Sequence, residues 1–225
     1  MKPALIKPKR KLLPSSHSFR GQISSPKIGR TPQYESSLER DLLHLLDFDN
    51  CVEFYCEQPV TIEYVHAGVV RHYTPDVLVY YRDDLEASAT LKPTLCEVKY
   101  RADLWQNWPE LKPKFMAALR YADQQGWRFK LLTECEIRTD YLTNVQFLRQ
   151  YVGPGEQVFQ VDQHLLMSLL RDVRLTTGEE LLLMATDDRT KRAELLYTLW
   201  SLIAIGLISC DLTRKLSLQT ELWIA

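Results

Sequence analysis

The segments YTPDVLVYY (73–81) and TLCEVKY (94–100) decide the fold class, because each is an apolar, β-strand-like run that carries charged residues. β-Branched and aromatic residues dominate both segments, as in the strands of a buried sheet. Charged side chains rarely face the interior of a sheet unless they are paired or hold a metal. Glu97 and Lys99 are separated by one residue, so they point to the same side of a strand. Asp76 follows a proline at the start of its strand, and the three side chains converge if the two strands are neighbours.

Each of these motifs also has a simpler interpretation. An isolated E-x-K is common as a solvent-facing salt pair on an edge strand, and a lone Pro-Asp usually forms a turn. The combination favours a site, because the two acids stand 97 − 76 = 21 positions apart and a helix bearing further acids lies upstream. Two carboxylates need a cation between them, and Mg²⁺ prefers oxygen ligands, waters and a substrate phosphate. The lysine would orient or deprotonate the attacking water and balance charge that develops on phosphorus.

A third acid is expected from the segment YESSLERDLLHLLDFD (34–49), whose leucines are spaced as on one face of a helix. Glu39 borders this buried face, and Glu35 lies one turn earlier on a similar line. We favour Glu39 because it lies deeper in the helical run, and Glu35 stays the alternative.

The order of the remaining patterns predicts two folded domains. A helix over 109–126 and a strand over 127–133 would form a β-α-β crossover with the E-x-K strand. The glycines and proline of 151–157 mark a linker. Beyond it, three helices and two short strands follow in the order of a winged helix. We therefore predict a basic, largely extended arm (1–33), a mixed α/β domain (34–150) and a winged-helix-like domain (151–225).

Charge is distributed unevenly along a chain whose net charge is −1. Residues 1–34 hold eight Lys or Arg and no acid, so the remainder carries 28 − 8 = 20 basic against 29 acidic residues, a balance of −9. Such an arm suits a polyanion such as DNA, and a solvated tail is the equally weighted alternative. The five cysteines contain no Cys-x-x-Cys pair, which argues against zinc and for a reducing cytosol. No apolar stretch reaches the length of a membrane span, and the N-terminus lacks the apolar centre of a secretory signal.

Several basic and aromatic residues are candidates for DNA contact. Some flank the acidic motifs, and others open the third helix of the C-terminal domain, where a winged helix would meet DNA. The rest of that helix is so apolar that protein contact is expected at least as much as base reading. The candidates are Arg71, His72, Tyr73, Arg101, Arg189, Lys191 and Arg192.

The motif TPD…EVK resembles the PD…(D/E)xK signature of nucleases. The longer series YESSLERDLLHLLDFD…EQPVTIEY…YTPDVLVYY…EVKY resembles TnsA, the endonuclease subunit of heteromeric bacterial transposases. FRGQISSPKIGR and AELLYTLWSLIAIGLISCDL extend the likeness to roughly residues 19–215. The resemblance implies an α/β, restriction-endonuclease-like mixed sheet flanked by helices, followed by the small winged-helix-like domain. It also implies that Glu39, Asp76 and Glu97 hold the metal and that Lys99 is the catalytic lysine.

The resemblance further implies a function in cut-and-paste DNA transposition. A Mg²⁺-dependent endonuclease, with Mn²⁺ able to substitute, would cut the 5′ ends of a transposon in double-stranded DNA. A DDE transposase subunit, TnsB, would cut and join the 3′ ends, and an AAA+ ATPase regulator, TnsC, would dock on the nuclease in the bacterial cytoplasm at the nucleoid. Two alternatives are open: a stand-alone restriction-like or junction-resolving nuclease, and a catalytically silent adapter that keeps the nuclease fold.

Overall fold

The computed structural model describes residues 21–22, 25, 27–152 and 160–224. Contacts divide the chain into two units, residues 1–137 and 138–225. Residues 1–20 of the predicted arm and residues 153–159 of the predicted linker lie outside the described residues. Within the described part of the chain, no helix is long and apolar enough to cross a membrane.

The first unit is built around a four-stranded mixed sheet with the strand order β3-β6-β7-β8. Its neighbours are antiparallel except for β7 and β8, which are parallel and joined by α2, as predicted for the crossover. The elements are β1 (Gly21–Gln22), β2 (Gln33–Tyr34), α1 (Ser37–Phe48), β3 (Val52–Glu57), β4 (Ile62–His66), β5 (Val69–Tyr73), β6 (Val77–Tyr81), β7 (Thr94–Val98), α2 (Arg101–Gln124), β8 (Arg128–Leu132) and α3 (Glu134–Ile137). This mixed α/β arrangement fits a nuclease fold.

Each face of the sheet is covered by one helix. The leucine face of α1 packs on one side against Val77 and Val98. On the other side α2 packs Phe115 and its alanines against Leu78 and Leu95. Because successive side chains of a strand alternate between faces, Glu97 shares the α2 face with Leu95.

The helix predicted over 34–49 is present as α1 and begins with a capping arrangement. The Ser36 hydroxyl accepts a hydrogen bond from the Glu39 amide at 3.1 Å, which satisfies a backbone N–H that has no partner inside the helix. Glu35 therefore lies before the first residue of the helix and is not part of its first turn. Glu39 stands in the first turn.

The helix predicted over 109–126 begins eight residues earlier, at Arg101, and ends at Gln124. The prediction starts the helix at Pro109, a residue type that suits the first turn of a helix. The structure instead continues the helix through Pro109 and Pro113, with a kink at Asn107, where φ is −115° and ψ is 16°. Prolines remove backbone donors from a helix interior, so a local departure from helical geometry accompanies them.

Part of the predicted N-terminal arm folds against the first unit. The Arg30 guanidinium forms an ion pair with both carboxylate oxygens of Glu57 in β3. The Lys27 ammonium donates to the Leu46 carbonyl at 2.9 Å. Residues 27–33 are therefore structured, whereas the prediction treated them as extended.

The second unit has the element order helix, strand, helix, helix, strand, strand after a first short helix. Its elements are α4 (Asp140–Leu148), a 3₁₀ turn (Arg149–Tyr151), α5 (Gln160–Val173), β9 (Leu175–Thr177), α6 (Gly178–Ala185), α7 (Arg189–Ala204), β10 (Ile208–Cys210) and β11 (Glu221–Ile224). The three strands form one antiparallel sheet in the order β10-β11-β9, and β9 was absent from the prediction. Thr177 and Glu180 form a capping box at the start of α6.

The division between the units falls before α4, whereas the predicted boundary lay at 150/151. Asn144 of α4 explains this position. Its amide nitrogen donates to the carbonyls of Leu212 and Arg214 at 2.9 and 2.7 Å, and its oxygen accepts from the Leu216 amide at 3.0 Å. These bonds attach α4 to the loop between β10 and β11.

Candidate active site

Asp76 lies at the entrance to β6, where the strand pairing brings it beside the end of β7. Val77 pairs with Cys96, and the Val98 amide donates a 2.7 Å hydrogen bond to the Asp76 Oδ2 atom. The Gln58 amide donates to the Asp76 carbonyl at 2.7 Å. Two backbone contacts from neighbouring segments thus fix the aspartate, and they confirm that its strand adjoins the E-x-K strand.

Glu97 is buried in the middle of this arrangement, with 1% of its surface exposed. The Tyr73 hydroxyl donates to its Oε2 atom at 2.6 Å. Its Oε1 atom lies 3.4 Å from the Lys99 ammonium and 3.3 Å from the ammonium of Lys114 in α2. A buried carboxylate needs such partners, and here three side chains supply them.

Lys99 follows β7 directly, and its amide donates to the Leu132 carbonyl of β8 at 3.0 Å. Its side chain stays 28% exposed, so the ammonium has access to a substrate. Burial lowers the pKa of Lys99, but the nearby carboxylates, above all Asp76 and Glu97, raise it beyond the usual value. The ammonium form is therefore favoured.

Glu39 adds a third carboxylate from the first turn of α1. Its two oxygens accept hydrogen bonds from the Glu35 amide at 2.8 Å and from the Ser36 hydroxyl at 2.9 Å. Burial raises the pKa of Glu39 above its usual value, and these two hydrogen bonds oppose the shift. The charge of Glu39 also acts on Asp76 and Lys99, so α1 faces the same site.

Among the described residues, the site brings together three acidic side chains and two basic ones. Burial raises the pKa of Asp76 well above its usual value, and repulsion from Glu97 and Glu39 raises it further. Among the described residues, the three carboxylates, when ionised, are accompanied by the two ammonium groups of Lys99 and Lys114. A divalent cation bound by oxygen ligands would relieve this repulsion, so the donor set fits Mg²⁺. Within the described residues, however, no three His, Cys, Asp or Glu side chains already form a metal-binding group.

The predicted DNA-contact residues of the first unit occupy different environments. Arg71 and His72 are exposed on β5, whereas Tyr73, the next residue, is buried, with 7% of its surface exposed, and points its hydroxyl to Glu97. Tyr73 therefore lies inside the candidate site and does not share the exposed surface of its neighbours. Arg101 is exposed at the first turn of α2.

In the second unit the three basic candidates at the start of α7 also differ. Arg189 is exposed. Lys191 forms ion pairs with Asp162 at 2.9 Å and Glu194 at 3.1 Å. Arg192 donates to the Thr186 carbonyl at 3.0 Å. One face of the remainder of α7 is buried, including Leu195, Leu199 and Leu202, whereas Tyr197 is 41% exposed.

Sequence reasoning missed Lys114, although a signal for it was present. The residue falls on the apolar face of α2, three positions after Leu111 and four before Ala118. A lysine on such a face needs a buried acidic partner or an exit to solvent, and Glu97 is that partner.

A groove of about 620 Å³ lies where α2 begins and β8 ends. Its wall includes Arg101, Trp105 and Trp108, together with Thr133 and Glu136. Trp105 is 90% exposed, which is unusual for so large an apolar side chain. Arg101 in the wall of the groove comes two residues after Lys99 in the sequence, so the groove begins close to the candidate site.

Comparison with known proteins is consistent with this geometry. Residues 49–134 match the family model described as TnsA-like endonuclease N terminal. The match spans Asp76, Glu97 and Lys99, and Glu39 lies before its start. No curated protein matches the chain. This match supports a TnsA-type endonuclease domain at residues 49–134.

Proposed function

We propose that the chain is a Mg²⁺-dependent DNA endonuclease that cuts the 5′ ends of a transposon. The observation that carries the proposal is the meeting of Asp76, Glu97 and Lys99 across β6 and β7. A TnsA-like domain implies a Tn7-type transposase system with DNA as its substrate. The proposed partners are accordingly a DDE transposase, TnsB, which processes the 3′ ends, and an AAA+ regulator, TnsC, in the bacterial cytoplasm.

The roles of the side chains follow from their surroundings. Asp76 and Glu97 would hold the metal with support from Glu39, and Mn²⁺ would substitute for Mg²⁺. When bound there, the ion would supply Lewis-acid activation of water and neutralise phosphate charge. Lys99, held as an ammonium by the carboxylates, donates hydrogen bonds to the nucleophile or to a phosphate oxygen and stabilises charge in the transition state. Water attacks phosphorus directly, and the products are a 5′-phosphate and a 3′-hydroxyl.

The exposed groups around the site suit a DNA strand. Arg101 offers a cation to phosphate, and Trp105 offers a ring on which an unpaired base at the cut site can stack. Arg71 and His72 on β5 are further contact candidates.

The second unit is proposed to act as a winged-helix-like module for DNA or a partner protein. Its order of helices and strands supports this assignment. β9 adds a third strand to the sheet of β10 and β11, next to β11. Arg189 is the exposed cation at the start of α7. Lys191 and Arg192 are engaged within the unit, so a DNA contact from either would require its present bonds to be shared.

A reconstituted transposition mixture tests the proposed activity. Lys99→Ala removes the ammonium that stabilises the transition state, and 5′-end cutting should fall by roughly 10²–10³-fold. The 3′-end joining by the partner transposase should persist and provides the internal control. Unchanged 5′-end products would contradict the proposal and favour the silent adapter.

The stand-alone nuclease is tested separately with the purified chain. Efficient cutting of plain plasmid in Mg²⁺ without partners would favour a restriction-like or junction-resolving enzyme. Cutting that requires the partner proteins and transposon ends supports the transposition assignment.

A further inference from the structure

We propose that Lys114 is a positioning residue of the nuclease site, which together with Tyr73 holds the Glu97 carboxylate and so leaves the Lys99 ammonium available to the substrate. The inference rests on the proposed function and assigns a role to a second lysine that lies outside the PD…ExK motif. It concerns the side chains of α2 and β5 that surround one buried acid.

The position of Lys114 is fixed from several directions. Its ammonium lies 3.3 Å from Glu97 Oε1, and its side chain is only 19% exposed. The same ammonium stands over the Tyr73 ring, 4.8 Å from the centroid, and 5.1 Å from the centroid of Phe115. Cation–π contacts of this kind stabilise a desolvated ammonium. The lysine is therefore part of a built cluster and is not a solvated surface charge.

Sharing of one oxygen by two lysines has a consequence for catalysis. Glu97 Oε2 is occupied by Tyr73, so Oε1 is the oxygen left to interact with both ammonium groups. Without Lys114, Glu97 would form a one-to-one ion pair with Lys99 and draw its ammonium away from the reacting phosphate. Lys114 thus lets Lys99 serve the substrate while Glu97 stays neutralised.

The same geometry implies that Lys114 weakens the binding of a metal ion to Glu97. A cation that approaches Glu97 meets the positive charge of Lys114 and competes with it for Oε1. Loss of the lysine should therefore tighten metal binding while it slows cleavage. A residue that merely supports the fold would weaken both properties together.

The test compares Lys114→Met with the wild-type chain. Methionine keeps an unbranched apolar stem over the two rings and removes the charge. The 5′-end cleavage rate in the reconstituted mixture should fall by roughly 10–100-fold. In the purified chain, half-saturation by Mn²⁺ should occur at a lower concentration, and the rise in Tm that Mn²⁺ produces should become larger. Lys114→Arg, which keeps a cation, should recover much of the cleavage rate.

Two matched variants separate the possible failures. Lys112→Met, on an exposed position of the same helix, should behave as wild type in every measurement. If Lys99→Met abolishes cleavage while Lys114→Met matches wild type, the inference is overturned and the proposed function stands. If Lys99→Met also cleaves normally, the proposed function itself fails. Weaker Mn²⁺ binding by Lys114→Met would likewise overturn the inference.

Tyr73→Phe provides an independent route if Lys114→Met does not fold. It removes only the hydroxyl that donates to Glu97 Oε2 and leaves the ring beneath Lys114. A cleavage rate slowed by roughly fivefold or more, the cost of about one hydrogen bond, supports the cluster. A rate equal to that of wild type overturns it.

Discussion

Two buried glutamates of one sheet, Glu57 in β3 and Glu97 in β7, show how similar residues serve different ends. Glu57 is 6% exposed and faces the guanidinium of Arg30, which contacts both of its oxygens. One acid meets one base, and the charges balance. Glu97 is 1% exposed but belongs to a group of three carboxylates and two lysines. The charges of this group do not balance when all three carboxylates are ionised.

The difference indicates that the group around Glu97 serves catalysis and that the Glu57–Arg30 pair stabilises the fold. A balanced pair holds two segments together, here the N-terminal residues 27–33 and the end of β3. An unbalanced group costs stability until a cation or substrate arrives, so its presence in a buried site indicates a function. The two sites are also linked, because Gln58, the neighbour of Glu57, donates its amide to the Asp76 carbonyl.

The largest effect is expected from Asp76→Asn at the unbalanced site. Asparagine keeps an oxygen for the Val98 amide but loses the charge that a metal requires. We expect 5′-end cleavage in the reconstituted mixture to fall by at least about 10²-fold. Substantial cleavage by the variant would show that Asp76 is not part of the reacting centre.

The same variant should be more stable than the wild type when both are metal-free at pH 7. The pKa of folded Asp76 lies above the unfolded value of about 3.9, so the folded state binds more protons between these two pKa values. Wild-type stability therefore falls as pH rises through that window, and Asp76→Asn lacks this fall. Urea unfolding from pH 7 down to about pH 4 should show the difference between the two proteins shrinking. A difference that grows as pH falls would contradict the account.

An intermediate effect, on stability alone, is expected at the balanced site. Arg30→Met leaves Glu57 buried without its cation and should lower the free energy of unfolding by about 2 kcal/mol, a value discounted because Arg30 is one-third exposed. The double variant Arg30→Met/Glu57→Gln should recover part of this loss, which urea unfolding measures. Mn²⁺ affinity should stay near that of wild type. A large loss of Mn²⁺ affinity would erase the contrast between the two sites.

Whether the residues of the two glutamate sites could be predicted depends on how far apart the contacting residues lie in the sequence. Asp76, Glu97 and Lys99 were found because charges inside β-strand-like runs stand out, and the pairing of β6 with β7 then brought them together. Lys114 lies inside the predicted helix but was missed, because no local pattern connects it with Glu97, 17 residues earlier in the sequence. Tyr73 was grouped with Arg71 and His72 by its position in the sequence. Tyr73 is instead the last residue of β5, where it pairs with Ile62 and joins the buried cluster that includes Phe115.

The same limit applies to the organisation of the chain. The three helices and the hairpin of the second unit were evident from apolar spacing and turn residues. The three-residue strand β9 is too short to give a period, and its pairing with β11 is a long-range contact. Assignment of α4 to the second unit depends on Asn144, whose partners are about 70 residues away. No local pattern reports such a bond.

The smallest effect is expected at the groove beside the active site. Trp105→Ala should weaken binding of a transposon-end duplex that carries a single-stranded overhang at the cut site by about tenfold, because stacking of an unpaired base on an aromatic ring contributes roughly 1–3 kcal/mol. The side chain is 90% exposed, so Tm should not change. Fluorescence anisotropy with a labelled duplex measures the affinity, and Trp105→Phe should retain most of it. Equal affinities of the alanine variant and the wild type would exclude this groove from the DNA path.

Calorimetric titration of Mn²⁺ into the full chain tests the central claim most directly, namely that the surplus carboxylates of Asp76 and Glu97 form a cation site. We expect saturable binding to the wild type and its loss in Asp76→Asn, with Arg30→Met binding as the wild type does. Absence of binding to a folded wild-type chain, or equal binding by Asp76→Asn, would contradict it.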